Sequence, residues 1–243
     1  MSKLYVVGFG PGGYDHMTMK AVQVIRDADI ITGYTTYVDM LKAYFPEKTY
    51  LSTPMKREVD RCRMAVEKTL EGHHVAMVSS GDSGIYGMAG IVLQIVDEMQ
   101  ADIEVEVVPG VTAASAAASV LGAPLMHDMA MISLSDLMTP LDQIMKRVEC
   151  AAMGDFVVCL YNPKSKKRVD YVERAADIMM KYQTPQTPVG IVRNAGRDGE
   201  KMTLTTLENV KNADIDMFSV VIIGNSNTYI KEGRMITPRG YQF

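Results

Sequence analysis

The sequence predicts an α/β protein of two domains, 1–122 and 123–243, with a mostly parallel sheet in the first and a mixed sheet in the second. In the first half, short β-rich runs alternate with segments of helical apolar spacing, which is typical of a parallel sheet. After the plausible hinge Gly122-Ala123-Pro124, several strand-like runs follow one another closely. That change of pattern favours a second, mixed sheet.

The first half has four strand-like runs, each followed by a helix-like segment or a turn. The β-rich runs predict strands at Lys3–Val7, Asp29–Thr32, Val75–Ser79 and Val105–Val108. Helical spacing predicts helices at Thr18–Asp27, Arg57–Glu71, Tyr86–Gln100 and Thr112–Leu121. Gly72 and Gly122 stand where the second and fourth of these helices should end.

The second half contains five strand-like runs and two helices. The strands are predicted at Met129–Ser133, Phe156–Leu160, Val189–Val192, Met202–Thr205 and Val220–Ile223. The helices are predicted at Leu141–Met153 and Val169–Tyr182. No tandem repeat or low-complexity segment interrupts either half.

Composition excludes several classes of protein. The 243 residues are 47% hydrophobic and 22% charged, and the net charge of -4 argues against a nucleic-acid partner. The three cysteines are too widely spaced for a zinc pattern, so they are expected to be reduced thiols, and no protein metal site is predicted. With no signal-peptide layout and no apolar run of about 18 residues, we expect a cytoplasmic protein without a membrane partner.

Glycine-rich turns after predicted strands are the first places to look for a ligand site. The turn Gly8-Phe9-Gly10-Pro11-Gly12-Gly13 reads G-x-G-x-G and lacks the G-x-G-x-x-G spacing of dinucleotide-binding proteins. No acidic residue ends the following strand, and no Lys-Ser or Lys-Thr follows the glycines. The turn is therefore either a ligand-approach loop or a tight strand-to-helix connection.

Two further turns combine small residues with a polar one. Asp82, in Ser79–Tyr86, could accept hydrogen bonds from a ligand or could be the N-cap of the helix expected at Tyr86, which spacing alone favours. Thr112, in Val108–Ser115, is a natural N-cap beside small residues. Those small residues leave room for a ligand or serve close packing of helix on sheet.

The remaining candidates lie in the second half and on one helix. Turns follow predicted strands at Tyr161-Asn162-Pro163, at 193–197 and at Gly224-Asn225. Basic residues cluster at Lys56-Arg57 and at Arg61 and Arg63, and we interpret them as a solvated helix face or, alternatively, as carboxylate binders. The four histidines are expected to be structural or on the surface.

Taken together, these segments resemble one enzyme family. The segments V-G-F-G-P-G, G-D-S-G-I-Y-G-M-A-G, P-G-V-T-A-A-S-A-A-A and I-T-P-R-G-Y are similar, in this order, to the tetrapyrrole methyltransferases. L-G-A-P-L-M-H-D, I-S-L-S-D-L-M-T-P, Y-N-P-K-S-K and V-R-N-A-G-R resemble the members that methylate C-17 of precorrin-3B or cobalt-precorrin-3B. The resemblance covers essentially the whole chain, and the second-half segments select the subfamily.

The resemblance implies a fold, a cofactor and a reaction. It implies the tetrapyrrole methylase fold with a cleft between two α/β domains, a homodimer, and ring-contracting C-17 methylation in cobalamin synthesis. The methyl donor would be S-adenosylmethionine (SAM), converted to S-adenosylhomocysteine. By motif position, SAM contacts would fall at Pro11, Asp82, Ile85, Thr112, Ala113, Tyr161, Ala195 and Gly224.

The same resemblance suggests residues for the substrate. Gly10 would border a trough for the tetrapyrrole, and Lys56, Arg57 and Arg197 would bind its carboxylates. Asp136 and Ser135 are the candidates for assisting ring contraction. Many family members have Gly-Asp-Pro at the second turn, whereas this chain has Gly81-Asp82-Ser83, which removes a residue of fixed φ and puts the rigidity of the loop in doubt.

Three alternatives remain at this point. A nicotinamide-dependent reductase would explain the strand–helix alternation but not the glycine spacing. A non-catalytic tetrapyrrole-binding protein would bind the pigment but not SAM. A sister methyltransferase would act at another ring carbon, and the position of the new methyl group would identify it.

Overall fold

A computed structural model describes residues 2–242, and the contacts divide the chain into two compact units, Met1–Ala113 and Ala114–Phe243. The division falls nine residues before the boundary expected after Gly122, because the helix 113–121 packs with the second unit. The Ala114 amide donates to the Tyr161 hydroxyl, which belongs to the sheet of the second unit. At the other end of this helix, the Leu121 side chain packs so closely on Gly190 of the same sheet that a Cβ there would collide with it.

The first unit is built on a five-stranded parallel sheet of order β3-β2-β4-β1-β5. Its strands are β1 (Lys3–Gly8), β2 (Ile30–Tyr34), β3 (Thr49–Thr53), β4 (Val75–Ser79) and β5 (Glu104–Val108). Its helices are α1 (Met19–Asp27), α2 (Thr35–Lys42), α3 (Glu58–Leu70) and α4 (Ala89–Glu98), with a 3-10 turn at Tyr14–His16.

Helices cover both faces of this sheet, as the uninterrupted apolar strands require. Buried side chains of α1 and α2 pack on one face, and those of α3 and α4 pack on the other. The parallel sheet is confirmed, whereas α2 and β3 were not predicted. The helix expected from Tyr86 begins only at Ala89, because Tyr86 has a φ of 53°, which a right-handed helix does not tolerate.

The second unit contains a mixed sheet of order β10-β9-β11-β8-β7, which confirms the predicted mixture. Its strands are β7 (Met129–Ser133), β8 (Val157–Tyr161), β9 (Pro188–Arg193), β10 (Lys201–Thr206) and β11 (Ser219–Ile223). A small second sheet joins β6 (Gly122–Ala123), β12 (Tyr229–Lys231) and β13 (Arg234–Ile236). The helices are α5 (Ala113–Leu121), α6 (Leu141–Met153) and α7 (Tyr171–Met179), and the last is shorter than predicted.

Strand direction decides which turns share an edge of the mixed sheet. β7 and β8 are parallel, but β11 runs antiparallel to both β8 and β9. The turns after β8 and β9 therefore lie at one edge, and the turn after β11 lies at the other. Within residues 2–242 no helix is both long and apolar enough to cross a membrane.

Candidate active site

Three glycine-marked turns of the first unit meet at the carboxyl edge of the parallel sheet. They follow β4, β1 and β5, which are neighbours in the sheet. Gly10 and Gly81 exchange backbone hydrogen bonds of 3.0 and 2.7 Å, which join the first turn to the second. The Gly110 amide donates to Asp82 Oδ2 at 2.9 Å, which joins the second turn to the third. The structure thus brings together turns that are about a hundred residues apart along the chain.

The close approach of these turns requires glycine. An ideal Cβ on Gly110 would lie 2.6 Å from the Gly8 carbonyl carbon and closer still to the carbonyl oxygens of Gly8 and Gly81. A Cβ on Gly8 would lie 2.7 Å from the Gly81 carbonyl oxygen and from the Ser83 nitrogen. All these neighbours are backbone atoms, which cannot rotate away.

Asp82 is the centre of hydrogen bonding among the turns. Its Oδ1 accepts from the amides of Gly84 at 2.8 Å and Ile85 at 3.1 Å, while its Oδ2 holds Gly110. The expectation that Asp82 is a helix N-cap is wrong, because α4 begins seven residues later, at Ala89. Asp82 instead fixes the shape of its own loop and ties that loop to the next turn.

Ser83 replaces the rigidity that a proline would give. Its side chain is buried, and its hydroxyl donates to the Val108 carbonyl at 3.2 Å. The Ser83 carbonyl also accepts the Ala89 amide at 3.0 Å, at the start of α4. The loop is therefore anchored on both sides, and the hydroxyl bond is the one that a proline could not make.

The segment after β3 holds the predicted carboxylate-binding cations. Lys56 and Arg57 are exposed, and Arg57 forms an ion pair with Asp60. Arg63 is partly exposed and pairs with Glu98. The interpretation of Arg61 as a solvated residue is wrong, since it is buried and lies on the stripe of α3 that contains Ala65 and Thr69. This spacing of four residues was the signal in the sequence that could have revealed it.

At one edge of the mixed sheet, Tyr161 ends β8 and Ala195 follows β9. The Tyr161 hydroxyl accepts the Ala114 amide at 2.9 Å and lies 4.0 Å from the Met131 sulfur, so it satisfies a free amide at the start of α5. Ala195 is buried, and the half-buried Arg197 donates its backbone amide to the Asn194 carbonyl at 2.9 Å.

Gly224 does not lie with these residues. Its amide donates to the Pro188 carbonyl at 2.9 Å, where β9 begins, and its Cβ position is filled by Thr228. The turn after β11 lies at the edge opposite the turns after β8 and β9, since β11 is antiparallel to both strands, and Gly224 as a cofactor contact stays a prediction.

Asp136 and Ser135 form part of a polar cluster after β7. Asp136 Oδ2 accepts the Tyr171 hydroxyl at 2.8 Å, and its Oδ1 lies 3.6 Å from an Arg168 nitrogen. The Tyr171 hydrogen bond and the nearby Arg168 hold the pKa of Asp136 below its usual value, which makes it a weak proton acceptor at neutral pH. Ser135 donates its amide to Ser133 Oγ at 3.2 Å. Among the described residues, no three His, Cys, Asp or Glu side chains are placed to hold a metal ion.

Comparison with known proteins identifies the family. A family model for the tetrapyrrole (corrin/porphyrin) methylases matches residues 3–211. The chain belongs to the tetrapyrrole methylase family. This membership rules out the alternative of a nicotinamide-dependent reductase, and the protein is a SAM-dependent tetrapyrrole C-methyltransferase.

Relatives and solved structures agree with this assignment. A "Probable cobalt-factor III C(17)-methyltransferase" from Salmonella typhimurium is 50% identical over 238 residues, which are 98% of this chain and 99% of that protein. The crystal structure of the methyltransferase CobJ has a TM-score of 0.90 and 32% identity, covering 98% of this chain and all of CobJ. A uroporphyrin-III C-methyltransferase from Thermus thermophilus, solved with S-adenosyl homocysteine, shares the fold at a TM-score of 0.72, with 20% identity over 92% of each chain.

Proposed function

We propose that this tetrapyrrole methylase transfers the methyl group of SAM to C-17 of cobalt-precorrin-3B or cobalt-factor III, with ring contraction, in cobalamin biosynthesis. The observation that carries the proposal is the 50% identity, over nearly the full length of both chains, to a protein named for this reaction. That relative is named for a cobalt-containing substrate, so we propose that the substrate carries cobalt. Any cobalt belongs to the substrate.

The three turns of the first unit fit SAM in their charge. The segments 8–13, 79–86 and 108–115 contain one acidic residue, Asp82, and no Lys or Arg. A carboxylate without neighbouring cations suits a cofactor that carries a positive sulfonium, and it does not suit the phosphates of a dinucleotide. When bound, SAM would supply the methyl group: an electron-rich carbon of the substrate would bond to the methyl carbon as the S–CH3 bond breaks, and S-adenosylhomocysteine would leave.

The chain's own residues then act by position. In the first unit, Asp82 holds the amides of Gly84, Ile85 and Gly110, which fixes the backbone where Pro11, Ile85, Thr112 and Ala113 are proposed to contact the cofactor. Holding reactants in place is worth about 7–11 kcal/mol in well-oriented reactions, so rigid turns contribute directly to rate.

In the second unit, we keep Tyr161 and Ala195 as proposed cofactor contacts, because their turns share one edge of the mixed sheet. Gly224 lies at the opposite edge of that sheet, so its proposed cofactor contact rests on the family resemblance alone. Asp136 and Ser135 stay the proposed residues for assisting ring contraction, and the Asp136 carboxylate is held in place by Tyr171 and Arg168.

The substrate is proposed to meet the carboxyl edge of the parallel sheet, bordered by Gly10. Its peripheral acetates and propionates require cations, and Lys56, Arg57 and Arg197 remain the proposed partners because of their charge. Arg57 is already paired with Asp60, so its contribution would require exchange of that carboxylate for the substrate's. An exposed ion pair of this kind is worth about 0–1 kcal/mol, which makes the exchange inexpensive.

The decisive experiment is anaerobic incubation of the protein with SAM and cobalt-factor III, followed by absorbance and mass. One added methyl group, mapped to C-17, is the expected product. A methyl group on another carbon would assign the protein to a sister reaction. Binding of the pigment without SAM affinity would instead indicate a carrier.

The cofactor contact is tested by Asp82→Ala, with Asp39→Ala as the control because Asp39 is exposed on α2 and forms an ion pair with Lys42 one turn away. We expect SAM affinity, measured by calorimetry, to fall in the first variant and to stay unchanged in the second. An Asp82→Ala protein that is folded and binds SAM normally would refute the role of Asp82.

We also propose that the protein acts as a homodimer in the cytoplasm. The homodimer rests on the family resemblance, and the compartment rests on three sparse, unpaired cysteines. Light scattering of the purified protein at several concentrations tests the dimer, and a mass of one chain, 26.8 kDa, would contradict it.

A further inference from the structure

Arg61 is a buried cation at the carboxyl edge of the parallel sheet. Only 3% of its surface is exposed. Its Nε donates to Thr53 Oγ1 at 3.0 Å and its Nη2 to the Pro54 carbonyl at 3.4 Å, and its guanidinium carbon lies 5.8 Å from the centre of the Tyr34 ring. Desolvation lowers the pKa of Arg61 below its usual value, but a guanidinium stays protonated at neutral pH.

This buried charge has no carboxylate at ion-pair distance among the described residues, although Glu58, three residues earlier on α3, acts on it at longer range and raises its pKa. Its neighbours on the same segment have such a partner, since Arg57 pairs with Asp60 and Arg63 pairs with Glu98. Among residues 2–242, no Asp or Glu forms an ion pair with Arg61. Buried charges are ordinarily paired, because removing an ion from water is expensive. An unpaired buried guanidinium is therefore a candidate for pairing with an anion that comes from outside the chain.

The guanidinium also has an unused edge. Arginine carries five N–H donors in a fixed fork, and a carboxylate normally takes two parallel ones. The edge formed by Nε and Nη2 is used by Thr53 and Pro54. Nη1 makes no hydrogen bond to a described residue and is not among the fully enclosed polar atoms, so it is a free donor that keeps some contact with solvent.

Other unsatisfied polar groups lie on the same face of the sheet. Thr32 is in register with Met77, whose side chain packs on the α3–α4 face, and Ser79 follows Met77 by two residues. Successive residues of a strand alternate between faces, so all three side chains share that face. The Thr32 and Ser79 hydroxyls are buried and have no hydrogen-bond partner among the described residues.

The position of Arg61 relative to the glycine turns suits a large substrate. Arg61 is held against the end of β3, and β3 lies two strands from β4, which leads into Asp82. Two strand spacings amount to about 10 Å. A flat macrocycle with peripheral carboxylates can span that distance, with its reacting carbon near the turns and one carboxylate near Arg61.

We propose that Arg61 binds a peripheral carboxylate of the tetrapyrrole through Nη1 and the second Nη2 hydrogen. The inference rests on the proposed function, because it takes the tetrapyrrole as the ligand. In this proposal Arg61 is the main cation that holds the substrate, because Arg57 is already paired with Asp60. Thr53 and Pro54 hold the guanidinium so that this edge stays open.

The test compares Arg61→Met and Arg61→Lys with the control Arg63→Met, which removes an exposed cation two residues away on α3. The probe is cobalt-factor III, titrated by absorbance into each protein, with SAM affinity measured separately. Loss of a charged hydrogen-bonded pair predicts a Kd for the pigment weaker by on the order of 10- to 100-fold in Arg61→Met. We expect a smaller loss in Arg61→Lys, because the charge remains without the fork, and unchanged SAM affinity in all three.

Several outcomes would overturn the inference. If Arg61→Met lowers the melting temperature but binds the pigment like wild type, Arg61 is only structural. If Arg61→Met does not fold, the Arg61→Lys variant takes its place in the test. Pigment affinity equal to wild type in Arg61→Lys would then refute the proposal that two guanidinium N–H groups bind the carboxylate. A wild-type protein that binds cobalt-factor III but methylates another carbon would correct the proposed reaction and leave Arg61 unaffected. A wild-type protein that does not bind the pigment would overturn both.

Discussion

Substitution of Gly110 by alanine should uncouple the three turns of the first unit. The new Cβ would lie 2.6 Å from the Gly8 carbonyl carbon and closer still to the carbonyl oxygens of Gly8 and Gly81, whereas ordinary contacts begin at 3.4 Å, so at least one turn must move by more than about 0.8 Å. The neighbours are backbone atoms of turns that are themselves joined by the Gly10–Gly81 hydrogen bonds. No side-chain rotation can therefore relieve the overlap.

The effect should appear in both activity and stability. Overpacking costs typically about 1–3 kcal/mol of folding free energy. A misplacement near 1 Å in a reacting geometry costs about 100-fold in rate. We expect Gly110→Ala to fold, to unfold at lower urea concentration, and to lose about two orders of magnitude in kcat/KM for the methyl transfer, with weakened SAM binding by calorimetry.

Gly90→Ala is the matched control. Gly90 lies in α4, is exposed, and has nothing within 4 Å of its Cβ position. Alanine is favoured over glycine within a helix by about 0.5–1 kcal/mol, so this variant should be slightly more stable and fully active. If Gly110→Ala retained wild-type SAM affinity and rate, the argument that the turns form one rigid unit would be wrong.

Three further predictions concern single side chains. Tyr161→Phe leaves the buried Ala114 amide without its acceptor and should cost about 1–3 kcal/mol in urea unfolding; an unchanged midpoint would contradict the capping role. Asp136→Asn should be less stable than wild type at neutral pH, and the difference should disappear as the pH falls through the lowered pKa of the folded Asp136 carboxyl; a gap that persists in acid would refute the assignment. Native protein at pH 8 should be alkylated by iodoacetamide at the exposed Cys150 alone, because burial raises the pKa of the Cys62 and Cys159 thiols to about 12. Mass spectrometry before and after denaturation checks this, and alkylation of Cys62 or Cys159 in the native protein would contradict it.

The contrast between Asp82 and Arg61 shows how far local pattern reaches. Asp82 lies in a family motif, so the sequence marks it as a site residue, but local spacing alone favours a helix N-cap. The structure shows instead a bond to Gly110, 28 residues away. Arg61 stood in no motif and was grouped with exposed cations, although its spacing to Ala65 placed it on the buried stripe of α3. The positive charge of Arg61 favours an exposed position, whereas its helical spacing favours a buried one, and the structure shows that it is buried.

Elements missed in the first unit have a similar cause. The segment Thr35–Lys42 is a short helix whose buried side chains are Val38 and Leu41, which is too few for a clear periodic pattern. β3 is an edge strand in which none of the five residues is buried, so its apolar alternation is weak. Both are stabilised by the sheet on which they pack, and neither has a strong local preference of its own.

The sequence by itself determined the α/β class, the alternation that produces a parallel sheet, the mixed sheet of the second half and the family, because each depends on local periodicity or on motifs in a fixed order. Only the tertiary structure decided which turns meet. Parallel strands carried the Gly10, Asp82 and Gly110 turns to one edge, whereas the reversed direction of β11 carried Gly224 to the opposite edge. Strand pairing is a long-range choice that no local run of residues encodes, and the packing of α3 on the sheet likewise buried Arg61 without an ion-pair partner among residues 2–242.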